Sequence, residues 1–194
     1  MSDLINARYL LGNHPQKLQI AHSLDLQVID KLPTSNAEVV VVLASTKSGI
    51  APEIISDWQS FRESYVPVII AILDLENTEV DFEDMSAIVG KMLEPVVTPY
   101  LVLHADNGSP AALINLESLQ ITDYSTGTAI SKESDPEHKE LVKEFSEELS
   151  DALIEGGWEQ FVQALIIPAI PLLPEKNLGI NEIKRFLNLI PSRS

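Results

Sequence analysis

Apolar and polar positions follow each other in different rhythms along this chain, and those rhythms predict its elements. Two runs, Glu38-Val-Val-Val-Val-Leu-Ala44 and Val66-Pro-Val-Ile-Ile-Ala-Ile-Leu73, have almost no polar interruption. β-Branched runs of this kind predict strands buried on both faces, as parallel strands are. Between them Ile54, Ile55, Trp58 and Phe61 recur at helical spacing, and Pro52 suits a first turn. Strand, helix and strand together predict a right-handed βαβ unit.

On either side the rhythm is less regular. Leu4 to Leu11 fits a helix or a strand, and Ser23 to Asp30 alternates as a strand does. Beyond Asp74 a loop through Glu76-Asn-Thr-Glu-Val-Asp81 leads to a helix. Its predicted stripe is Phe82, Met85, Ile88, Val89, Met92 and Leu93, with Asp81 or Glu79 placed to cap it. Val96 to Leu103 predicts a further strand, and Asn107-Gly108 a tight hairpin turn. Ala111 to Leu116 and Ser118 to Tyr124 follow as short alternating strands, and Thr126-Gly127 as another turn. Ser134-Asp135-Pro136-Glu137 predicts a helix start, with Asp135 as the cap and Pro136 in the first turn. Leu141, Phe145, Leu149, Ala152 and Leu153 then form a stripe that Gly156-Gly157 ends. A short helix from Trp158 to Ala164, a buried strand from Leu165 to Leu172 and a helix from Asn181 to Leu189 complete the chain. The fold class is therefore α/β: a mostly parallel sheet flanked by helices in three layers, with a small β-containing insertion near residues 95–130. Residues 1–194 are expected to form one domain.

Composition narrows the function classes. A chain of 194 residues with 45% hydrophobic and 22% charged residues can bury a core without staples. It contains no cysteine, which excludes disulfides and thiolate chemistry. Apolar runs fall short of the about 18 residues a membrane helix needs, and Ala164 to Leu173 contains two prolines. Met1-Ser-Asp-Leu-Ile-Asn6 has no basic n-region, so a cytoplasmic location without membrane attachment is expected. The net charge of −16 repels phosphate backbones, and the lysines and arginines are scattered, so no direct nucleic-acid binding is expected. Such acidity serves solubility, or meets a basic protein partner. The face Glu137, Lys139, Glu140, Lys143, Glu144, Glu147 and Glu148 is the candidate for the latter.

Candidate chemistry is sparse. Ligands of open α/β sheets sit beyond the carboxyl ends of strands, here Ala44-Ser45-Thr46 and Asp74-Leu75-Glu76. Asp74, Glu76, Asp81 and Asp84 gather carboxylates near one strand end, but without the ligand spacing of a calcium loop, so no metal is expected. His104 beside Asp106 is a possible acid–base pair without a nucleophile nearby.

One resemblance organises these signals. Gly49-x-x-Pro52, then Trp58, Val66-Pro67 and Asp81-Phe82 are spaced as in the GTPase domain of bacterial elongation factor G, which this stretch resembles. The resemblance covers roughly residues 37–191 well and residues 1–36 poorly. It implies a P-loop NTPase-like fold and assigns the β-rich stretch to the family's insertion. It also implies where nucleotide-binding motifs would lie, and each is degenerate. The phosphate loop, Gly-x-x-x-x-Gly-Lys-Ser/Thr in the family, corresponds to Gly12-Asn-His-Pro-Gln-Lys-Leu18. Pro15 lacks an N–H there, Gln16 or Lys17 replaces the second glycine, and Leu18 replaces the lysine or hydroxyl. Asp30-Lys-Leu-Pro33, followed by Thr34 and Ser35, stands for Asp-x-Pro-Gly-His, and the span from Gly12 to Asp30 is too short for a switch segment. Leu73-Asp74-Leu75-Glu76 replaces the base-reading Asn-Lys-x-Asp, and Leu173-Pro174 replaces the guanine-contacting Ser-Ala.

The ancestral positions Gly12, Lys17, Asp30, Asp74, Glu76 and Leu173 are thus degenerate, and neither catalytic residues nor a cofactor are expected. The resemblance implies a pseudo-GTPase that acts as a protein-interaction or regulatory module, with the ribosome as a partner by family analogy alone. The alternative is an atypical enzyme that binds a nucleotide or another small molecule in the crevice at 44–48 and 74–76, with Lys47 and Ser48 as phosphate contacts. A third expectation is a fragment of a longer factor, because the family continues into a β-barrel beyond the position of Pro191-Ser-Arg-Ser194.

Overall fold

The computed structural model describes residues 7–34, 37–76 and 79–191. The first half alternates strand and helix: β1 (Arg8–Leu11), α1 (Lys17–Leu24), β2 (Gln27–Ile29), β3 (Val39–Ser45), α2 (Pro52–Arg62), β4 (Val68–Leu73) and α3 (Phe82–Met92). A run of strands follows: β5 (Tyr100–His104), β6 (Pro110–Asn115), β7 (Gln120–Asp123) and β8 (Ile130–Glu133). Then come α4 (Pro136–Leu141), α5 (Lys143–Leu153), α6 (Glu159–Val162), β9 (Ala169–Pro171), a 3-10 turn (Pro174–Lys176) and α7 (Ile180–Leu187).

Five strands form one parallel sheet in the order β2-β1-β3-β4-β9. β3 and β4 run through its centre, in register from Val40 opposite Val68 to Ser45 opposite Leu73. Every residue of both strands is buried. Because side chains alternate across a strand, the two apolar runs feed two separate cores. Val40, Val42, Ile70 and Ile72 pack on the side of α2 and α3, against Ile54, Trp58, Phe61, Phe82, Met85 and Val89. Val39, Val41, Ile69 and Ala71 pack on the other side against Ile20, Leu24, Phe161, Ile183 and Phe186 of α1, α6 and α7. The expected three-layer α/β arrangement is therefore what forms.

The expected insertion is a four-stranded antiparallel sheet, β5-β6-β7-β8, whose inner residues join the α2–α3 core. Its first hairpin turns at Asn107-Gly108, where Ala105 N–H donates to Ser109 C=O at 2.9 Å and Gly108 N–H to Ala105 C=O at 2.8 Å. The insertion is tied to the rest by polar contacts. The Tyr124 hydroxyl donates to Glu182 of α7 at 2.6 Å. Arg185 donates to the Tyr100 hydroxyl at 2.9 Å and to Glu117 at 2.7 Å. Lys176 Nζ reaches the Pro110 carbonyl at 2.9 Å.

Several boundaries differ from the sequence reading, each for a packing reason. Ser23 and Leu24 end α1 rather than opening a strand, so only Gln27–Ile29 is extended. Burial of Ile20, Ala21 and Leu24 selects the helix, and Asp25 closes it in the left-handed conformation at φ 54°. Within Leu4 to Leu11 the described part is strand from Arg8, while Leu4 to Asn6 lie outside the described residues. Val96 to Leu103 is not one strand, because Val97 pairs with Pro168 at the edge of the large sheet and β5 begins only at Tyr100. The second sheet extends past residue 130 because β8 adds a fourth strand. The helix after Pro136 breaks at Val142, which is 2% exposed, so Leu141 (71%) and Phe145 (38%) turn outward. On α3, Ile88 and Met92 are exposed, and the packed face is Phe82, Met85, Ser86 and Val89. The last strand is three residues rather than eight.

One buried carboxyl gives the fold a pH signature. Glu182 is 7% exposed, and among the described residues its Oε2 has no hydrogen-bond partner. Burial raises its pKa above the ordinary 4.5, and the hydrogen bond from Tyr124 offsets only part of that. The Tyr124 hydroxyl is itself pushed far up, chiefly by burial and then by Glu182, so it stays protonated and keeps donating. A carboxyl whose folded pKa lies above its unfolded one favours the fold fully below the unfolded value. That contribution is lost as pH rises through the folded pKa. Glu182→Gln keeps an acceptor for Tyr124 and removes the ionisation. It is expected to be more stable than the parent at about pH 8 by about 1–2 kcal/mol, with the difference closing towards about pH 4. Urea denaturation across that range reads the difference.

Candidate functional site

The chain leaves β1 towards β2 on one side of the sheet, whereas β3 lies on the other side of β1. The carboxyl ends of β1 and β3 therefore flank the switch point at which open α/β sheets bind ligands. Two small cavities open there. One, of about 220 Å³, is lined by Asn13, His14, Ser45, Ser48 and Glu53 among others. The second, of about 210 Å³, is bordered by Gly12, Lys17, Asp30 and Glu53. Both lie below the about 300 Å³ at which pockets for drug-sized ligands begin.

The loop after β1 lies directly on β3. Gly12 has φ 140°, and a Cβ there would stand 2.6 Å from Leu43 Cβ, so only glycine fits. His14 then turns into the sheet end. Its Nδ1 accepts the Gln16 N–H at 3.2 Å, which leaves the ring proton on Nε2, directed at the Asp74 carboxylate 3.5 Å away. Asp74, at φ 61°, lies just beyond β4 and collects its neighbours. The Ser45 hydroxyl donates to its carboxylate at 2.5 Å, and Lys47 Nζ stands 3.9 Å from it. The Thr46 hydroxyl donates to the Asp74 carbonyl at 2.6 Å.

The turn after β3 is closed on itself. Ser45 Oγ accepts the N–H groups of Lys47 and Ser48, each at 3.1 Å. Ser45 N–H donates to Gly49 C=O at 3.0 Å, and Gly49 N–H returns to Ser45 C=O at 2.8 Å. Main-chain donors that would converge on an anion are thus already taken by a serine side chain. The nearest fixed charge is a carboxylate, and the closest lysine faces it.

Serine, aspartate and histidine meet here, but the order of contacts matters. In a nucleophilic triad the imidazole stands between hydroxyl and carboxylate. Here Asp74 stands in the middle, both imidazole nitrogens are engaged, and Ser45 is 3% exposed. No imidazole nitrogen is left to take the serine proton, so the cluster works as a structural clasp between β1, β3 and β4.

The other predicted positions disperse. Lys17 opens α1, and its Nζ is 3.8 Å from Asp30, whose side chain is 92% exposed, so the two form a surface pair. Glu76 pairs with Lys176 at 3.0 Å across the strand ends. Leu173 is buried, with its N–H donating to Leu178 C=O at 2.9 Å. Asp81 caps α3, accepting the Asp84 N–H at 2.8 Å. Asp74, Glu76, Asp81 and Asp84 therefore serve separate ends, and no group of three potential metal ligands occurs among the described residues. His104 is exposed at the end of β5, and among the described residues no hydrogen bond joins it to Asp106. Ser35, Asn77, Thr78 and Ser192 to Ser194 lie outside the described residues. His14 and the role of Ser45 were not foreseen. For Ser45 the signal was a polar residue closing an otherwise apolar strand; His14, three residues beyond β1, had none.

An open parallel sheet with helices on both faces and a Rossmann-like strand order is a widely shared scaffold. No family model and no curated protein matches the sequence. Among solved structures, the crystal structure of ttk003000868 from Thermus thermophilus is similar, with a TM-score of 0.68 over 80% of this chain at 20% identity. The present chain spans 27% of that protein's chain. At that identity the likeness shows the fold alone, and one fold carries many functions. No helix among the described residues is long and apolar enough to cross a membrane.

The clasp can be tested through stability. Asp74→Asn keeps the residue's tolerance of the left-handed backbone and one acceptor for Ser45, and should cost about 1–2 kcal/mol. Asp74→Ala adds backbone strain of about 1 kcal/mol to the lost contacts and should cost more. Gly12→Ala, which must push Leu43 aside, should also exceed Asp74→Asn. Urea midpoints of the three variants give the order.

Proposed function

We propose that this chain is a pseudo-GTPase: a domain resembling the GTPase domain of elongation factor G that does not hydrolyse GTP and acts by binding a protein partner. The observation that carries the reading is the closed turn after β3, where Ser45 Oγ takes the Lys47 and Ser48 N–H groups beside the Asp74 carboxylate. A triphosphate needs convergent donors and cations, and this crevice offers an anion and occupied amides. Pro15 in the loop after β1, Leu18 in the first turn of α1, and the net charge of −16 weigh the same way. A translational context, with the ribosome as the larger assembly, is part of the proposal by family resemblance.

A second reading has one observation in its favour. The cavity of about 220 Å³ beside Asn13, His14, Ser48 and Glu53 has polar walls and suits a small polar molecule. On this reading an atypical small molecule or nucleotide would bind at residues 44–48 and 74–76, with Lys47 and Ser48 as its contacts; Ala44, Ser45 and Ser48 of that set line the cavity.

Isothermal titration with GTP and GDP, with and without magnesium, separates the two. Pseudo-GTPase behaviour gives no resolvable heat with either nucleotide at micromolar protein. Sub-micromolar, magnesium-dependent affinity refutes it. A nucleotide heat lost in Lys47→Ala would favour the second reading.

A further inference from the structure

Between α3 and α5 runs a groove of about 380 Å³, larger than either strand-end cavity and sharing no lining residue with them. Ala87 and Gly90 of α3 and Val96 after it make one wall, and Phe145 of α5 the other. Glu83 and Glu148 stand in its lining. The Ser86 hydroxyl donates to the Phe82 carbonyl at 2.8 Å, so that residue adds no free donor to the groove.

Three features of the groove bear on what it can hold. Gly90 is not in a left-handed conformation, and a Cβ there would meet only Pro95 Cα, at 3.8 Å. Glycine in that helix interior costs about 1 kcal/mol relative to alanine, and neither backbone nor packing requires it. Its absent side chain leaves the groove open. Phe145 is 38% exposed, turned outward by the break at Val142, and no ring contact fixes it among the described residues. Glu83 is half-buried, and its carboxyl is pushed up by burial and by the neighbouring Asp81 and Asp84. It therefore sits in a field that a cation would relieve.

Charge around the groove is predominantly negative. α5 carries Glu144, Glu147, Glu148 and Asp151 against one basic residue, Lys143, and α3 carries Glu83 and Asp84 against Lys91. No ion pair engages Glu83 or Glu148 among the described residues. A second copy of a chain with net charge −16 would meet like charge here, as would an anionic membrane surface.

We propose that the groove between α3 and α5 docks a short amphipathic segment of a partner protein, with apolar side chains packed against Ala87, Gly90 and Phe145 and flanking lysines or arginines facing Glu83 and Glu148. Such a site combines an open pocket with an aromatic anchor and a charged rim, as helix-in-groove recognition does. The inference rests on the interaction-module reading and names the surface and the partner chemistry.

The test uses the full chain and a fluorescein-labelled model peptide of about four helical turns, with a Leu/Phe face flanked by lysines. Saturable micromolar binding is expected by anisotropy, weakening about tenfold between about 50 and 300 mM salt. Ala87→Trp, at an exposed helix position, fills the groove and should weaken binding at least about tenfold. Glu83→Gln with Glu148→Gln should weaken it and flatten the salt dependence. Circular dichroism and melting temperature check that each variant folds, and Phe145→Ala serves if the tryptophan variant does not. The proposal is overturned if no binding occurs, if a glutamate-flanked peptide binds equally, or if the groove variants bind as the parent does. A dimer in sedimentation that Ala87→Trp dissociates would also overturn it, by giving the groove to a second copy. Nucleotide affinity in the titration above would remove the pseudo-GTPase reading and leave the peptide result standing. Silent nucleotides with no peptide effect would remove the groove alone.

Discussion

Pairing of β3 with β4 is the constraint on which the molecule depends. Both strands are buried on both faces, so each must present apolar side chains upward and downward at once. Shifting the register by one residue would exchange the members of the two cores. Fully burying each of these valines and isoleucines is worth about 1.5–3 kcal/mol, which makes this pair the centre of stability. Helices on either face then have only to supply one stripe each. The ends of the same pair set the place of Ser45 and Asp74, one at the last residue of β3 and one just past β4.

At that end the chain satisfies its own polar groups. Carbonyls and amides at strand ends in open sheets are the usual raw material of ligand sites. Here Ser45, Thr46, His14 and Asp74 connect three strand ends to one another, and the result is a clasp. Preorganised donors aimed at an absent charge would cost stability. A serine hydroxyl that accepts two N–H groups while donating to a carboxylate removes that cost, and removes the anion site with it.

Much of the fold was legible because its strongest signal is long and uninterrupted. The two β-branched runs and the Ile54–Trp58–Phe61 stripe appear in the structure within a residue or two of their sequence bounds. Failures occur where tertiary contacts outweigh local pattern. Ser23 and Leu24 alternate plausibly with their successors, yet Ile20, Ala21 and Leu24 gain more by packing as a helix against the sheet. Val142 interrupts a good helical stripe because burying it against the second sheet outweighs continuity, at the expense of Leu141 and Phe145. The site was legible only as a location. Strand topology placed a crevice at residues 44–46 and 74–76, but the partner that completes the cluster, His14, comes from a loop whose proximity is set by Gly12 on Leu43. No periodicity encodes that approach. Glu182 was equally invisible, since a glutamate on an amphipathic helix reads as solvated until Tyr124 covers it.

The break at Val142 has one more consequence. α4 contributes no buried side chain, whereas α5 is anchored through Leu149 and through the Ser146 hydroxyl on the Leu116 carbonyl. The six residues before the break are thus held mainly by their own turns and by the Asp135 cap. Local opening can begin there without disturbing either core. Were those six residues to open, the chain between β8 and α5 would lengthen, since an extended residue spans about twice the rise of a helical one.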